Sequence, residues 1–379
     1  MSAAAPRSAS DFSSQALMEA YARADVTFVE GDGCELVDAG GRRYLDFGAG
    51  IAVVSLGHRH PAPLAAAQAQ LDRLWHCSNL YWTEPQAELA AKLASRFGGG
   101  QVFFCNSGAE TVESAIKLAR KLTGKPGIVA LEGSFHGRST GALAATGQPG
   151  KRAAFEPLLP GVRFARPNDV DSLHAAFGDD VGLVLLEPVL GEGGVHPLEA
   201  SFVQAAAALD ALLCLDEIQT GVGRTGTFFA FEQLGVRPDL VTLAKGLANG
   251  LPIGALIAAE DGFAPGDHGS TFGGNPVACA AACAVCDAVD EALLDNVLAQ
   301  GMRLRAGLGK LPGVSAVRGA GLLVGADLDR PAGEVAAACL DRGLVVLTAG
   351  ANTLRLAPPL PVTPAQVDRA LSILEEVLS

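Results

Sequence analysis

Short runs of apolar residues alternate with helical patterns through the middle of the chain. Each run is short, almost continuously apolar and bounded by turn residues, which predicts a buried β-strand. Strands that alternate with helices indicate a mostly parallel sheet covered on both faces. The predicted strands are 101–105, 127–131, 162–165, 181–187, 211–217, 240–245 and 253–259, and the helices between them are 108–122, 169–177, 199–209 and 228–234.

The two ends of the chain follow a different pattern. Glycines interrupt the apolar runs of residues 26–47, which favours antiparallel hairpins. After residue 276 the pattern is helical, then strand-like, and then helical again. We therefore predict an α/β protein with a large domain at 61–280 and a smaller α+β domain made from residues 1–60 and 281–379. Further helices are predicted at 62–76, 84–97 and 364–378, and strands within 313–328 and 343–357.

Composition narrows the class of protein. Hydrophobic residues make up 49% and charged residues 18% of the 379, a balance typical of globular chains. The net charge is −13, and this acidic surface argues against nucleic-acid binding. Glycine accounts for 46 residues with no collagen period, which predicts tight turns or close approach of the backbone to a ligand.

The eight cysteines are predicted to be reduced and mostly buried, because the chain is long and we see no secretory signal at its start. Cys279, Cys283 and Cys286 share one face of a helix among alanines, so we interpret them as packing residues rather than as a metal site. No apolar run is long enough to cross a membrane. We expect a cytoplasmic protein without a bound metal.

Three apolar strands each end in a charged residue. Glu187, Asp216 and Lys245 follow one another at intervals of 29 residues. Ligands of open α/β sheets bind beyond the carboxyl ends of the strands, so we expect these side chains to meet in a site. A desolvated lysine can attack a carbonyl to form a Schiff base, and a buried carboxylate can keep a pyridine nitrogen protonated.

A phosphate site is predicted where strand 101–105 runs into the next helix. Ser107 and Glu110 match a helix-capping box, and Gly108 lets the backbone approach a ligand closely. An ordinary helix cap gives the same pattern. In "FHGRST", Phe135 is suited to stack on a ring and Arg138 to bind a carboxylate, whereas His136 is equally consistent with a plain loop residue.

Three further motifs carry weaker signals. "GVGRTG" at 221–226 matches a dinucleotide-binding fingerprint, but it neither follows a strand directly nor opens a helix, so we interpret the match as accidental. "GHRHP" at 57–61 has two histidines but no third metal ligand nearby. "STFGGNP" at 270–276 places two hydroxyl groups before a Gly-Gly turn, which suits either phosphate binding or the turn itself.

Taken together, these motifs resemble those of the class III, pyridoxal-phosphate-dependent aminotransferases of fold type I. The resemblance covers most of the chain, and its most specific part is D-E-x-Q-T-G-x-G-R-T-G followed by A-K-G. Two positions depart from the usual pattern, "TVESA" at 111–115 and Leu190 in "EPVLGEGG". The motifs that carry the resemblance are "YLDFGAGIAVVSLGHRHP", "SNLYWTEPQAELAAKL", "VFFCNSGAE", "SFHGR", "EPVLGEGG", "LCLDEIQTGVGRTGTFFAFE", "PDLVTLAKGLANGLPIGA", "GSTFGGNPVACAAA" and "LRLAPPL".

The resemblance implies a role for each matching residue. Lys245 would bind pyridoxal 5′-phosphate covalently and then move the proton, and Asp216 would pair with the pyridine nitrogen. The ring would lie between Ile218 and Phe135, with Gln219 at its phenolic oxygen. The phosphate would be bound by Ser107, Gly108 and Ala109, and by Thr271 of a partner subunit. The implied substrate contacts are Arg138, Glu192, Ser270 and Arg355.

Within the class, the compact length and short N-terminus are most similar to those of acetylornithine aminotransferases. That resemblance implies a homodimer with shared sites, N2-acetylornithine and 2-oxoglutarate as substrates, and a place in arginine biosynthesis. Succinylornithine, ornithine, succinyl-diaminopimelate and 4-aminobutyrate remain alternative donors. An aminomutase or racemase would use the same cofactor without releasing a keto product. A nicotinamide dehydrogenase and a catalytically inactive binding protein are the alternatives from other classes.

Overall fold

The structure is a computed structural model that describes residues 17–379. The expectation that the chain starts without a signal peptide lies outside this range. The strands are β1 (Phe28–Asp32), β2 (Glu35–Asp38), β3 (Arg43–Asp46), β4 (Gln101–Cys105), β5 (Gly127–Leu131), β6 (Val162–Ala165), β7 (Val181–Leu186), β8 (Val189–Leu190), β9 (His196–Pro197), β10 (Leu212–Asp216), β11 (Leu240–Leu243), β12 (Gly254–Ala258), β13 (Val314–Ala320), β14 (Leu323–Leu328), β15 (Leu344–Val345), β16 (Leu347–Thr348) and β17 (Thr353–Leu356).

The helices include several of only one or two turns, and within residues 17–379 three short 3₁₀ segments span Ala153–Phe155, Ala230–Gln233 and Lys245–Ala248. The α-helices are α1 (Ala49–Ala52), α2 (Pro61–Leu71), α3 (Glu84–Phe97), α4 (Gly108–Thr123), α5 (Thr140–Ala145), α6 (Pro149–Arg152), α7 (Val170–Ala176), α8 (Ala200–Ala207), α9 (Pro276–Ala288), α10 (Glu291–Leu308), α11 (Ala332–Asp341) and α12 (Pro364–Leu378).

A seven-stranded sheet forms the centre of the molecule, in the order β4-β12-β11-β10-β7-β5-β6. Six of these strands run in one direction, and β12 runs in the opposite direction. Alternate residues of a strand enter different cores: Leu183 and Leu185 pack on one face, Val184 and Leu186 on the other. All seven predicted strands are confirmed, and so is the α/β fold with a mostly parallel sheet.

One helix prediction is wrong. The segment 228–234 forms only the short 3₁₀ turn Ala230–Gln233. The backbone N–H groups of Ala230 and Phe231 donate to the two oxygen atoms of the buried Glu217 carboxyl group instead of continuing a helix. Tertiary contacts therefore decide the conformation here, as they often do against weak local preference.

Both ends of the described chain share a second core. Leu45 and Phe47 pack with Val297, Leu304 and other residues from the C-terminal part. Strand β15 adds in parallel to β3, which extends the antiparallel sheet β1-β2-β3. A separate antiparallel sheet has the order β13-β14-β17-β16. This packing agrees with a small domain built from both ends, while the boundaries at 60/61 and 280/281 stay a prediction.

Helix α1 is a left-handed turn. The φ angles of Ala49, Ile51 and Ala52 lie between 46° and 67°, in a region that is unfavourable for residues with a Cβ atom. The carboxylate of Asp46 accepts from the N–H groups of Gly48 and Ala49 and bonds His58 at 2.8 Å. These contacts hold the strained turn in place next to the candidate site described below.

The cysteine prediction agrees with the packing. All eight cysteines are free thiols, and every one except Cys77 is buried. Burial raises the pKa values of Cys279, Cys283 and Cys286 in α9 to about 12, so these thiols stay protonated and act as small apolar side chains. Among residues 17–379, no helix combines the length and the apolar character needed to cross a membrane.

Candidate active site

A cavity of about 410 Å³ lies at the carboxyl ends of the central parallel strands. Glu187, Asp216 and Lys245, which follow β7, β10 and β11, all line it. The prediction that the three charged strand ends meet is therefore confirmed. Most of the other predicted residues line the same cavity, namely Ser107, Gly108, Ala109, Phe135, Arg138, Ile218 and Gln219.

Asp216 is almost fully buried at the end of β10 and is held by three neighbours. Its Oδ2 atom lies 2.7 Å from Nδ1 of the buried His136. Its Oδ1 atom accepts from the backbone N–H of Ile218 and from the hydroxyl of Thr242, each at 3.2 Å. A carboxylate fixed this firmly and facing a cavity suits a protonated ring nitrogen.

Lys245 lies just beyond β11 with φ of +43°, an unusual conformation for a residue with a side chain. Burial and the positive charge of Arg355 lower the pKa of its amine, which favours the neutral, nucleophilic form. The loop is anchored by Asn249, whose side chain accepts from Leu56 N–H and donates to the Gly57 carbonyl. A side chain at Gly246 would collide with Ser55.

The N-terminus of α4 forms another wall of the cavity. Ser107 caps the helix by accepting from the N–H of Glu110. The Glu110 carboxylate reaches the N–H of Asn106 rather than that of Ser107, so the predicted capping box is displaced by one residue. A Cβ atom at Gly108 would lie 2.8 Å from Ile218, which explains the glycine. Free N–H groups at such a terminus suit a phosphate.

Glu187 links two loops beside the cavity. Its carboxyl oxygens accept from the N–H groups of Phe135, at 2.7 Å, and Gly191, at 3.2 Å. Burial raises its pKa to about 7, even though the nearby His136 acts in the opposite direction. Glu187 thereby fixes the position of the Phe135 ring on one side and of the loop that carries Glu192 on the other.

Arg355 is buried on β17, whose Leu354 and Leu356 pack in the second core, and it contacts the cavity residue Gln219. Its Nη1 atom donates to Gln219 Oε1 at 3.0 Å and to the Gly191 carbonyl at 3.1 Å, and it forms an ion pair of 2.6 Å with Glu192. Burial alone would raise the pKa of Glu192, but Arg355 and Lys151 lower it overall. The carboxylate of Glu192 therefore stays charged and neutralises Arg355.

Arg138 differs from Arg355 in exposure and in partners. Its side chain is solvent-exposed although it lines the cavity, and its guanidinium carbon lies 5.7 Å from the centre of the Phe135 ring. Within residues 17–379 it forms no ion pair. The site thus presents one buried, neutralised arginine and one exposed arginine available to an anion.

Four predicted residues do not line this cavity. Arg355, paired with Glu192, contacts the lining residue Gln219, whereas Ser270 and Thr271 lie in a surface loop. Thr271 is exposed, and Ser270 is partly exposed and accepts from the side-chain amide of Asn106 at 3.2 Å. Both line a neighbouring surface depression instead. Their predicted roles therefore require either movement of this loop or a second subunit.

Sequence reasoning left three contributors without an assigned role. His136 was indistinguishable from a loop residue, because its contact with Asp216 spans 80 positions. Thr242 is hidden within a buried strand. Lys151 lies 3.7 Å from Glu192, and its ammonium is 4.6 Å from the Phe135 ring centre. Its only sequence signal is a lysine in a short helix.

The site would accept a ligand with an anionic group at the α4 terminus, a flat ring with a basic nitrogen at Asp216, and a carbonyl at Lys245.

The profile of the family "Aminotransferase class-III" matches residues 18–378. The acetylornithine aminotransferase of Gloeobacter violaceus is 48% identical, with 96% of each chain covered. That of Streptomyces coelicolor is 51% identical over 80% of this chain and 78% of its own.

Solved structures of aminotransferases are similar to this chain over most of its length. Ornithine aminotransferase from Toxoplasma gondii, described with pyridoxal phosphate at its active site, has a TM-score of 0.91 at 32% identity, covering 96% of this chain and 92% of its own. N-acetylornithine aminotransferase from Stenotrophomonas maltophilia has a TM-score of 0.82 at 37% identity, covering 94% and 96%.

Proposed function

This chain belongs to the class III aminotransferases, and we propose that it transfers the δ-amino group of N2-acetyl-L-ornithine to 2-oxoglutarate. The products would be N-acetyl-L-glutamate 5-semialdehyde and L-glutamate, as in arginine biosynthesis. Support comes from acetylornithine aminotransferases that are 42–48% identical over nearly the whole chain. The structural observation that carries the proposal is the contrast between Arg355, neutralised by Glu192, and Arg138, which forms no ion pair among residues 17–379.

The cavity fits pyridoxal 5′-phosphate, the cofactor of this class. Gly108 leaves room for Ile218 against the helix terminus, and Gly137, with φ of +137°, leaves room for Ala109. Ser107, Gly108 and Ala109 would bind the phosphate, and Asp216 the ring nitrogen. When bound, the cofactor supplies a reactive aldehyde and a ring that withdraws electrons from the carbon attached to the reacting amine.

The chain's own residues would perform the remaining tasks. Asp216, held by His136, would keep a proton on the ring nitrogen. The amine of Lys245 would be the attachment point and would carry a proton to and from the reacting carbon, which its lowered pKa favours. Phe135 and Ile218 would hold the ring, and Gln219 would contact its phenolic oxygen.

The two arginines would separate the two substrates. In N2-acetylornithine the α-amine is blocked, so the δ-amine reacts and the α-carboxylate lies far from the reaction centre, within reach of Arg138. The end near Arg355 then carries no carboxylate, and Glu192 would neutralise the guanidinium. When 2-oxoglutarate enters, its carboxylate would replace Glu192, because a buried charge without a partner is unfavourable.

A homodimer with shared sites is part of the proposal. Large apolar side chains are exposed near Thr271. The side-chain amide of Asn79 donates to the carbonyl oxygens of Ser270 and Gly273, which ties the segment that carries most of these side chains to the loop of Thr271. Burying such a surface favours association. Thr271, and with it Ser270, would then serve the partner's site. The exposed residues are Leu74, Trp75, Leu80, Tyr81, Trp82 and Phe272. The free thiols fit the cytoplasmic location that we also propose.

The proposal is tested by a panel of amino donors assayed with 2-oxoglutarate. We expect the highest kcat/KM for N2-acetylornithine over N2-succinylornithine, ornithine and 4-aminobutyrate, and loss of activity in Lys245→Ala. A higher kcat/KM for another donor would overturn the substrate assignment, and activity retained by Lys245→Ala would overturn the role of Lys245. Light scattering at the assay concentration tests the dimer, and a fully active monomer would overturn the shared site.

A further inference from the structure

The segment Gly221–Gly226, whose letters match a dinucleotide fingerprint, is a junction between the two cores. A Cβ atom at Gly223, where φ is +88°, would lie 3.1 Å from Leu360, and one at Gly226 would collide with Leu298. Leu360 and α10, which carries Leu298, pack with the second core. The glycines therefore allow the chain beyond Asp216 to press closely against the part of the protein that carries Arg355.

Arg224 stands at the centre of this junction and is only 1% exposed. Its Nη1 atom donates to the carbonyl oxygens of Leu322 and Pro358, and its own carbonyl accepts from the N–H of Leu322 at 3.0 Å. Gly321 packs against the backbone of Arg224 and Thr225 so closely that a Cβ atom would lie 2.6 Å from the Arg224 oxygen. One side chain thus fixes two segments at once.

Both segments lead directly to Arg355. Leu322 immediately precedes β14, whose Gly325 pairs with Arg355 across the sheet. Pro358 follows Arg355 by three residues. The loop after β10, which carries Arg224, also carries Gln219, and Gln219 accepts from the Arg355 guanidinium at 3.0 Å. Hence one loop holds Arg355 at its side chain through Gln219 and holds its strand pair through Arg224.

A buried arginine such as Arg224 is an unusual residue for a contact that only stabilises the fold. Burial lowers the pKa of Arg224 to about 10, so the group remains charged near neutral pH. Its hydrogen-bond acceptors among residues 17–379 are carbonyl oxygens, while its Nε and Nη2 atoms are buried without a partner there. Apolar side chains usually stabilise a core as well as or better than buried ions, so a role in positioning explains the arginine better than stability does.

We propose that Arg224 is a positioning residue for Arg355: it holds β14 and β17 so that the Arg355 guanidinium reaches Gln219, Glu192 and an incoming carboxylate. This inference rests on the proposed role of Arg355 in binding 2-oxoglutarate. It gives the glycine-rich segment a function in the reaction without any nucleotide.

The test uses the holoenzyme and separates the two half-reactions. Arg224→Met keeps the volume but removes the donors, so we expect the KM for 2-oxoglutarate to rise about tenfold, since small displacements of a binding group have effects of at least this size. The rate with N2-acetylornithine alone should change less than about twofold, because that substrate offers Arg355 no carboxylate and Glu192 remains in the variant to neutralise the guanidinium. Arg224→Lys should recover part of the loss. Arg303→Met, which removes an exposed ion pair with Asp368 in the same half of the protein, is the matched control and should match the parent.

A double-mutant cycle with Arg355→Ala distinguishes the possible failures. Coupled, non-additive losses in kcat/KM for 2-oxoglutarate would support positioning. If Arg355→Ala shows no selective loss, the proposed role of Arg355 fails. If that loss is selective but Arg224→Met adds to it independently, the positioning role is overturned. An equal decrease of both half-reactions and of cofactor retention, in Arg224→Lys as in Arg224→Met, would also overturn it.

Discussion

The Nδ1 atom of His136 lies 2.7 Å from Oδ2 of Asp216, and both side chains are buried. The two residues are brought together because the loop after β5 folds over the end of β10. A hydrogen-bond partner of this kind fixes the carboxylate that would face the ring nitrogen, so His136 acts through Asp216 rather than on the substrate.

We expect His136→Gln to lower kcat by about tenfold, which corresponds to about 1.4 kcal/mol in the activation barrier. Asp216→Asn should have a larger effect because it removes the charge itself. Single-turnover rates and the visible absorbance of the bound cofactor provide the measurement. His174→Gln changes an exposed histidine in α7 and is the control. Parent-like rates in His136→Gln would show that the contact is dispensable.

The Glu192–Arg355 ion pair gives a prediction about substrate preference. In Glu192→Gln the Arg355 guanidinium loses its counter-charge when the diamine donor is bound. We therefore expect kcat/KM for N2-acetylornithine to fall at least about tenfold, and kcat/KM for 2-oxoglutarate to change much less. Glu376→Gln, on the exposed face of α12, is the control. Equal losses for both substrates would contradict a role in switching.

Gly108 offers a test of cofactor binding that does not depend on turnover. Gly108→Ala places a Cβ atom 2.8 Å from the Ile218 side chain, so either the N-terminus of α4 or the Ile218 side chain must shift. We expect the dissociation constant for pyridoxal 5′-phosphate to rise about tenfold, measured by fluorescence titration of the apoenzyme. Gly333→Ala makes the same change in the first turn of α11, where nothing lies within 4 Å, and should leave the constant unchanged. Unchanged affinity in both variants would contradict the assigned phosphate site.

The buried carboxyl of Glu217 predicts how stability depends on pH. Burial raises its pKa from 4.5 to about 8, so the folded state holds a proton that the unfolded state releases between these values. This contribution to stability is fully present below about pH 4.5 and is lost as the pH rises towards 8. We expect Glu217→Gln, which cannot ionise, to gain in Tm relative to the parent as the pH rises from about 5 to 9. A difference in Tm that stays constant across this range would contradict the raised pKa.

The sequence predicted the central sheet well because its signal is local. Each strand is an almost continuous apolar run that ends at a charged or turn residue, and Glu187, Asp216 and Lys245 mark the edge where the cavity opens. The segment 228–234 was misjudged because Glu217, from another part of the chain, binds its N–H groups.

The supporting contacts were beyond sequence reasoning for a physical reason. His136 meets Asp216, and Arg224 meets Pro358, only after distant segments have folded together. The left-handed turn of α1 likewise depends on Asp46 and His58, and no run of letters signals it. Local patterns predict elements and the residues at their ends, whereas the partners that position those residues come from the tertiary structure.

In the proposed reaction, the δ-amino nitrogen of N2-acetylornithine passes to 2-oxoglutarate. The most direct test incubates the holoenzyme with donor labelled with nitrogen-15 at the δ-amine and with unlabelled 2-oxoglutarate, and follows the label by mass spectrometry. We expect the label to appear in glutamate in a one-to-one ratio with the semialdehyde product. A label that stays on the donor, because the donor is only isomerised or racemised, with no labelled glutamate formed, would contradict the proposed transfer.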